Sequence, residues 1–293
     1  MNKLLIIFSL FSTLAFGHSE KFLPENDLAI PEKSLLANDM TEEQFLKVIK
    51  ELDLIYTPVV KKLGGNLRFD NNWKSSTVNA YAGRYGKEDE DGNEMEPKDE
   101  WRVTMFGGLA RHKHVTRDGF SLVVCHEIGH HLAGKPSYDG EMIWASSEGQ
   151  SDYFATTKCL RRLWQDQDNT TAITDLEIPE TLKASCLKQW SHQKDQSMCL
   201  RLGMAGFSVG KLFASLKTFP KLPKFETPDT KITKKPIAYH PDAQCRLDTY
   251  FQGSLCEVSF EDEFGTDEAK GACHTRNGHK IGLRPLCWYK PVD

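Results

Sequence analysis

The chain has 293 residues, 39% of them apolar, which is enough for one large domain or two small ones around a sizeable core. A net charge of −4 leaves no broad basic footprint, so a nucleic-acid partner is excluded as the reading. Beyond the N-terminal segment no apolar run is long enough to span a bilayer, which excludes a polytopic membrane protein.

Lys3 and the apolar stretch Leu4–Phe16 lead to Ala15 and Gly17, small residues that fit a signal-peptidase site. Residues 1–17 are therefore expected to be a signal peptide, with His18 as the new N-terminus and an exported, periplasmic or extracellular destination. The stretch is short for a membrane anchor, so no stable membrane insertion is expected after cleavage. All eight cysteines follow this site, which predicts disulfides formed in an oxidising compartment. Spacing suggests the local pairs Cys186–Cys199, Cys245–Cys256 and Cys273–Cys287, with Cys125 a buried thiol or a disulfide partner.

Residues 18–38, with Pro24 and Pro31, read as extended. Thr41 opens a helix with Gln44 as its capping-box partner, Phe45, Val48, Ile49, Leu52 and Ile55 give it an apolar face, and Gly64-Gly65 ends it. Thr77–Ala82 and Trp101–Phe106 read as strands. The acidic segment Lys87–Glu100 between them lacks calcium-loop spacing and reads as a solvated hairpin loop. Asp118 is the expected N-cap of a helix from Gly119 to Leu132, stopping near Gly134 and Pro136. Further helices are predicted over Ile143–Trp164, 180–191, 195–216 and Asp242–Gln252. Thr218–Tyr239 carries Pro220, Pro223, Pro228 and Pro236 and reads as an extended wrap.

His126-Glu127-Ile128-Gly129-His130 spells H-E-x-x-H inside the apolar run Phe120–Ala133. On a helix, positions i and i+4 share a face, so two imidazoles there can grip one metal ion, with Glu127 beside them as a general base. A chance match on a core helix gives the same letters. A catalytic zinc takes three protein ligands and keeps one position open. Glu148, eighteen residues beyond His130, is the candidate third ligand. Asp152, one helical turn further, can accept the other N–H of a ligand histidine and fix its tautomer. Competing readings are a solvated face for Glu148 and Asp152, or Glu141 as third ligand from a turn near Asp139-Gly140. The set implies one Zn2+ per chain. His131 points off the ligand face, and His112, His114, His192, His274 and His279 fall outside any recognisable spacing.

H-E-x-x-H followed by E-x-x-x-D is the glutamate-zincin pattern, and with it the chain resembles the metallopeptidase family that includes HtpX, BepA and the CAAX prenyl endoprotease. Val78-Asn79-Ala80-Tyr81-Ala82 is similar to that family's N-A-aromatic-A strand, and Val103–Leu109 to the strand and Gly-Leu step before its active helix. Phe120–His130 with Glu148–Asp152 resembles its zinc site, and His240-Pro241 with Arg246 its H-P-x-x-x-x-R segment. The likeness spans about residues 40–250. It implies that His240 stabilises a developing oxyanion, or blocks the metal, and that Arg246 braces the His240 segment or an acidic neighbour. Three departures stand out: no transmembrane helices surround the catalytic unit, the acidic loop 87–100 replaces a short turn, and the cysteine-rich region from Cys245 has no counterpart.

The expected fold is α+β and zincin-like: a small antiparallel sheet beside the active-site helix, a mostly helical remainder and a disulfide-stapled tail. Residues 18–217 would form the peptidase domain, 218–239 the wrap, and 240–293 the His-Pro helix with the cysteine-rich region. The expected activity is zinc-dependent hydrolysis of peptide or protein substrates. The alternatives are a non-catalytic zinc-containing binding module and an amidase acting on cell-wall peptides. Phe106, Gly107, Gly108 and Leu109 are the expected substrate-binding residues, on a strand with an open edge beside the active helix. Oligomeric state is not legible.

Overall fold

A computed structural model describes residues 19–90, 94–218 and 221–291; the expected signal peptide lies outside them. Thr41 caps helix α1 (Glu42–Lys62) through the capping box with Gln44, and Phe45, Val48, Ile49, Leu52, Tyr56 and Val60 form its buried face. Ile55 is only half-buried; Tyr56 takes the core position instead.

Four strands make one sheet: β1 (Ser19–Lys21), β2 (Asn66–Asn72), β3 (Ala80–Tyr85) and β4 (Glu100–Phe106), in the order β1-β3-β4-β2. The hairpin β3–β4 is antiparallel, as is β1–β3, but β2 runs parallel to β4, so the sheet is mixed rather than antiparallel. The chain leaves β2, packs its Trp73–Thr77 segment under the glycines at 107 and 108, and returns as β3 on the far side of β4. That crossover sets the parallel pairing. Strand β3 begins three residues later than the alternation predicts. Asn79 instead clamps Leu23, accepting its N–H at 2.9 Å and donating to its carbonyl at 3.2 Å.

The short helix α2 (Gly107–Ala110) leads to α3 (Arg117–Leu132), whose residues from Gly119 to His131 are all buried. Thr116, not Asp118, is its N-cap, accepting from Gly119 N–H at 3.0 Å. Asp118 sits in the first turn and takes two 2.8 Å bonds from Arg201. The next helix starts at Glu148 rather than Ile143, because Ser146 is tied back to α3 by its N–H to the His130 carbonyl at 2.9 Å. From there α4 (Glu148–Phe154), a π-helical turn (Ala155–Cys159) and α5 (Leu160–Trp164) run on without a break. Gly129 permits the close α3–α4 crossing: a Cβ there would stand 3.0 Å from Ser151 Cα.

Helices α6 (Asn169–Ala172), α7 (Glu180–Gln189), α8 (Gln193–Ser215) and α9 (Ala243–Leu255) complete the helical part. Between α8 and α9 the described wrap residues form no regular element. They lie along the C-terminal tail, with Ile237 N–H on the Trp288 carbonyl at 2.8 Å.

Four disulfides close the molecule: Cys125–Cys159, Cys186–Cys199, Cys245–Cys287 and Cys256–Cys273. The expected pairs Cys245–Cys256 and Cys273–Cys287 are not formed. Cys245 lies on α9 and Cys256 at its end. At 1.5 Å per residue a helix holds them about 16 Å apart, beyond the reach of a disulfide. Such a disulfide set is the mark of an oxidising, exported compartment. Among the described residues no helix is long and apolar enough to cross a membrane.

Candidate metal centre

Three side chains from two helices converge on one buried point. Helix α3 brings His126 and His130 to one face, a turn apart, and α4 brings Glu148 against them from its first turn. All three side chains are fully buried. Each imidazole is held by its Nδ1. His126 Nδ1 lies 2.7 Å from Asp152 Oδ1, and His130 Nδ1 lies 2.8 Å from the Ser146 carbonyl and 3.2 Å from Ser151 Oγ. Both Nε2 atoms therefore turn inward, where neither has a hydrogen-bond partner. They face the carboxylate of Glu148 at 3.4 Å from His126 and 3.5 Å from His130.

These separations fit a cation. A tetrahedral ion with ligand bonds of about 2.0–2.1 Å sets its ligand atoms about 3.3–3.5 Å apart. The ligand atoms of His126, His130 and Glu148 all lie within 4.8 Å of one another, and the group can hold a metal ion. Glu141, the rival third ligand, is exposed on a 3₁₀ turn and outside this group.

Charge points the same way. Glu20, Glu127, Glu148 and Asp152 lie around the point, and the buried cation facing them is Arg246. Arg246, from α9, reaches Glu148 Oε2 at 3.1 Å and Asp152 Oδ1 at 2.5 Å, and is fully buried. Tyr250, one turn along, donates to the same Asp152 Oδ1 at 2.7 Å. The expected role of Asp152 thus has its geometry, and Arg246 braces acidic neighbours rather than the His240 segment. Burial opposes charge on His126, but Asp152 and Glu148 outweigh it and raise that imidazole to about 9. His130 goes the other way, down to about 4, through burial and the neighbouring His126 charge. Burial and His126 act in opposite directions on Glu148, and its carboxyl ends below the usual carboxylate range.

Glu127 is fully buried on α3 and neither of its oxygens has a partner. Burial, with Glu148 and Glu20 adding to it, lifts its carboxyl to about 8.

His240 arrives on the wrap, which is fixed nearby by Glu148 N–H on the Ala238 carbonyl at 3.0 Å. Its Nε2 stands 3.7 Å from Glu148 Oε2 and 2.7 Å from the carbonyl of Lys21.

The expected substrate strand does not hold. Strand β4 is paired on both sides, by β3 and β2, and has no open edge. Gly107 and Gly108 serve packing: a Cβ on either would fall within about 2 Å of the Trp73 or Ser76 carbonyl. Leu109 is in the core, and Phe106 stacks edge-on against Tyr81 at 5.2 Å.

Several site residues carry no signal in sequence. Tyr138 places its hydroxyl 3.4 Å from Glu148 Oε1, and Phe22 packs its ring edge-on against His126 at 5.0 Å. Ser146 and Ser151 orient His130 from positions that both read as ordinary helix. Tyr250 alone was within reach, as the i+4 neighbour of Arg246.

Comparison of the chain with protein-family models, with curated proteins and with solved structures found no match in any of the three.

Proposed function

We propose that the protein is an exported zinc metallopeptidase, acting in the periplasm or outside the cell, of the zincin-like kind that the HtpX, BepA and CAAX endoprotease resemblance suggests. The observation that carries this reading is the pair of buried, unpartnered imidazole nitrogens aimed at one carboxylate, with an unpartnered Glu127 beside them. A purely structural site has no use for that fourth residue.

His126, His130 and Glu148 would hold the ion, and their neutral-imidazole, carboxylate donor set suits zinc. When bound, zinc supplies Lewis acidity and lowers the pKa of water towards neutrality. Glu127 accepts the proton of the attacking water at its carboxylate and returns it to the leaving amine. His240 donates from Nε2 to the carbonyl oxygen as charge builds there. Asp152 holds His126 in the tautomer that leaves Nε2 free to bind metal, with Arg246 and Tyr250 holding Asp152.

The test is a peptide-library digest by zinc-loaded wild type and Glu127→Gln. Wild type should cleave, and the variant should retain zinc and lose cleavage. Zinc binding without cleavage by wild type would leave a binding module, and cleavage of cell-wall muropeptides alone would make the protein an amidase.

A further inference from the structure

Building on the peptidase reading, we infer that the outer edge of β3 is the peptide-docking edge and that the chain's own Ser19–Lys21 strand lies there as a built-in competitor. The fold described here is then a latent form.

The register carries the inference. Ser19, Glu20 and Lys21 pair antiparallel with Gly83, Ala82 and Tyr81, and Phe22 N–H extends the ladder to the Ala80 carbonyl at 2.9 Å. Hydrogen-bonded pairs alternate along such a ladder, so Glu20 and Ala82 form the next one. Side chains alternate too, and Glu20 shares its face with the buried Ala82. That face looks into the metal centre. The Glu20 carboxylate lies close enough to Tyr138, Glu148 and His126 for them to act on it.

The next peptide group is held as a substrate's would be. The Lys21 carbonyl occupies His240 Nε2 at 2.7 Å, the donor assigned above to the carbonyl under attack. While that bond stands, His240 is not available to another peptide.

The anchoring is lopsided in a way that suits release. Phe22 and Leu23 are fully buried, Phe22 between His126 and Phe213, and Leu23 in the Asn79 clamp. Ser19, Glu20 and Lys21 are only half-buried, and the ladder they form is three residues long. Opening this piece alone exposes the β3 edge and leaves the anchor in place. An incoming extended peptide would then add as a strand in its stead. If β1 only covered an edge against aggregation, its loss would not create affinity for a peptide.

The experiment uses the full exported chain in a zinc-loaded Glu127→Gln background, so that nothing is cut. Glu20→Pro removes the N–H facing Ala82, and Glu20→Ala keeps the ladder but removes the carboxylate. A labelled heptapeptide with the sequence of residues 18–24 is the probe, read by fluorescence anisotropy, with hydrogen exchange followed at Ala82. Glu20→Pro should speed exchange at Ala82 and bind the probe about tenfold more tightly than the parent, because the competing strand no longer lowers the competent population. Bound probe should slow that exchange again, and Glu20→Ala should give a smaller gain of the same sign. Unchanged affinity in both folded variants, or binding that leaves Ala82 exchange untouched, overturns the inference. Both single variants are also made with Glu127 intact. If wild type cleaves peptides and neither Glu20 variant cleaves faster, latency fails while the peptidase reading stands. If Glu20→Pro gains the probe at Ala82 yet cleaves nothing, the docking edge stands and the peptidase reading fails.

Discussion

Arg246 Nη2 lies 2.5 Å from Asp152 Oδ1, joining two fully buried side chains ninety-four residues apart. Through Asp152 the contact reaches the Nδ1 of His126, and through Nη1 it reaches Glu148, so one guanidinium on α9 fixes two elements of the metal centre. Removing it leaves two buried carboxylates without their cation. Arg246→Met should therefore lower stability by about 3–5 kcal/mol in metal-free protein. Zinc should recover part of the loss, which denaturant melts with and without the ion would reveal.

Asp152 contacts His126 and not the other proposed ligands, so it would act on a bound ion only through that imidazole. Asp152→Asn removes the negative charge that favours the Nδ1–H tautomer and leaves all three ligands in place. Zinc affinity should fall by about 10–100-fold, measured by competition with a chromophoric chelator, with the circular dichroism spectrum unchanged.

The C-terminal tail supports α4 from behind. A Cβ on Gly149 would stand 2.2 Å from the Trp288 ring, in the helix turn that carries Glu148. Gly149→Ala should cost about 1–3 kcal/mol through overpacking and should weaken zinc binding although no ligand is altered. Denaturation and zinc titration of the same sample check both halves.

Lys158 gives a pH signature away from the metal. Burial pushes its ammonium down from 10.5 to about 7, with Arg161 adding to the effect. Its Nζ bonds the Ser259 carbonyl at 2.5 Å. Between those two values the unfolded chain keeps a proton that the folded chain has shed. This group's contribution to stability is thus lowest below pH 7 and rises with pH from there to 10.5. Lys158→Met should remove that rise and gain on the order of 1–3 kcal/mol near neutrality. The wild-type-minus-variant difference in thermal melts across the range measures it.

The parts of the site written in local spacing were legible. His126, Glu127 and His130 need only the helical repeat to meet, and the same repeat places Asp152 a turn beyond Glu148. The Thr41–Gln44 box is local as well. What depends on distant chain was not legible. Strand β2 offers only Leu67 and Phe69 as alternating apolar residues, because it is a largely exposed edge, and its parallel partner follows from a crossover that no short window records. Cys245–Cys287 and Cys256–Cys273 join α9 and its end to a tail whose described residues form no α-helix or strand, and whose path no local spacing records. Gly107 and Gly108 looked like room for a ligand backbone, and the chain's own Trp73–Thr77 segment fills that room instead. Glu20 reaches the centre only because β1 pairs with β3, where its partner Ala82 is sixty-two residues away in the chain.

The central claim is the ion itself. Zinc bound per chain, measured by elemental mass spectrometry after gel filtration, should be about one for wild type and for Glu127→Gln, and close to zero for a His126→Ala, His130→Ala double variant that still folds. Wild type that retains no zinc when loaded, or a double variant that retains as much as wild type, would contradict it.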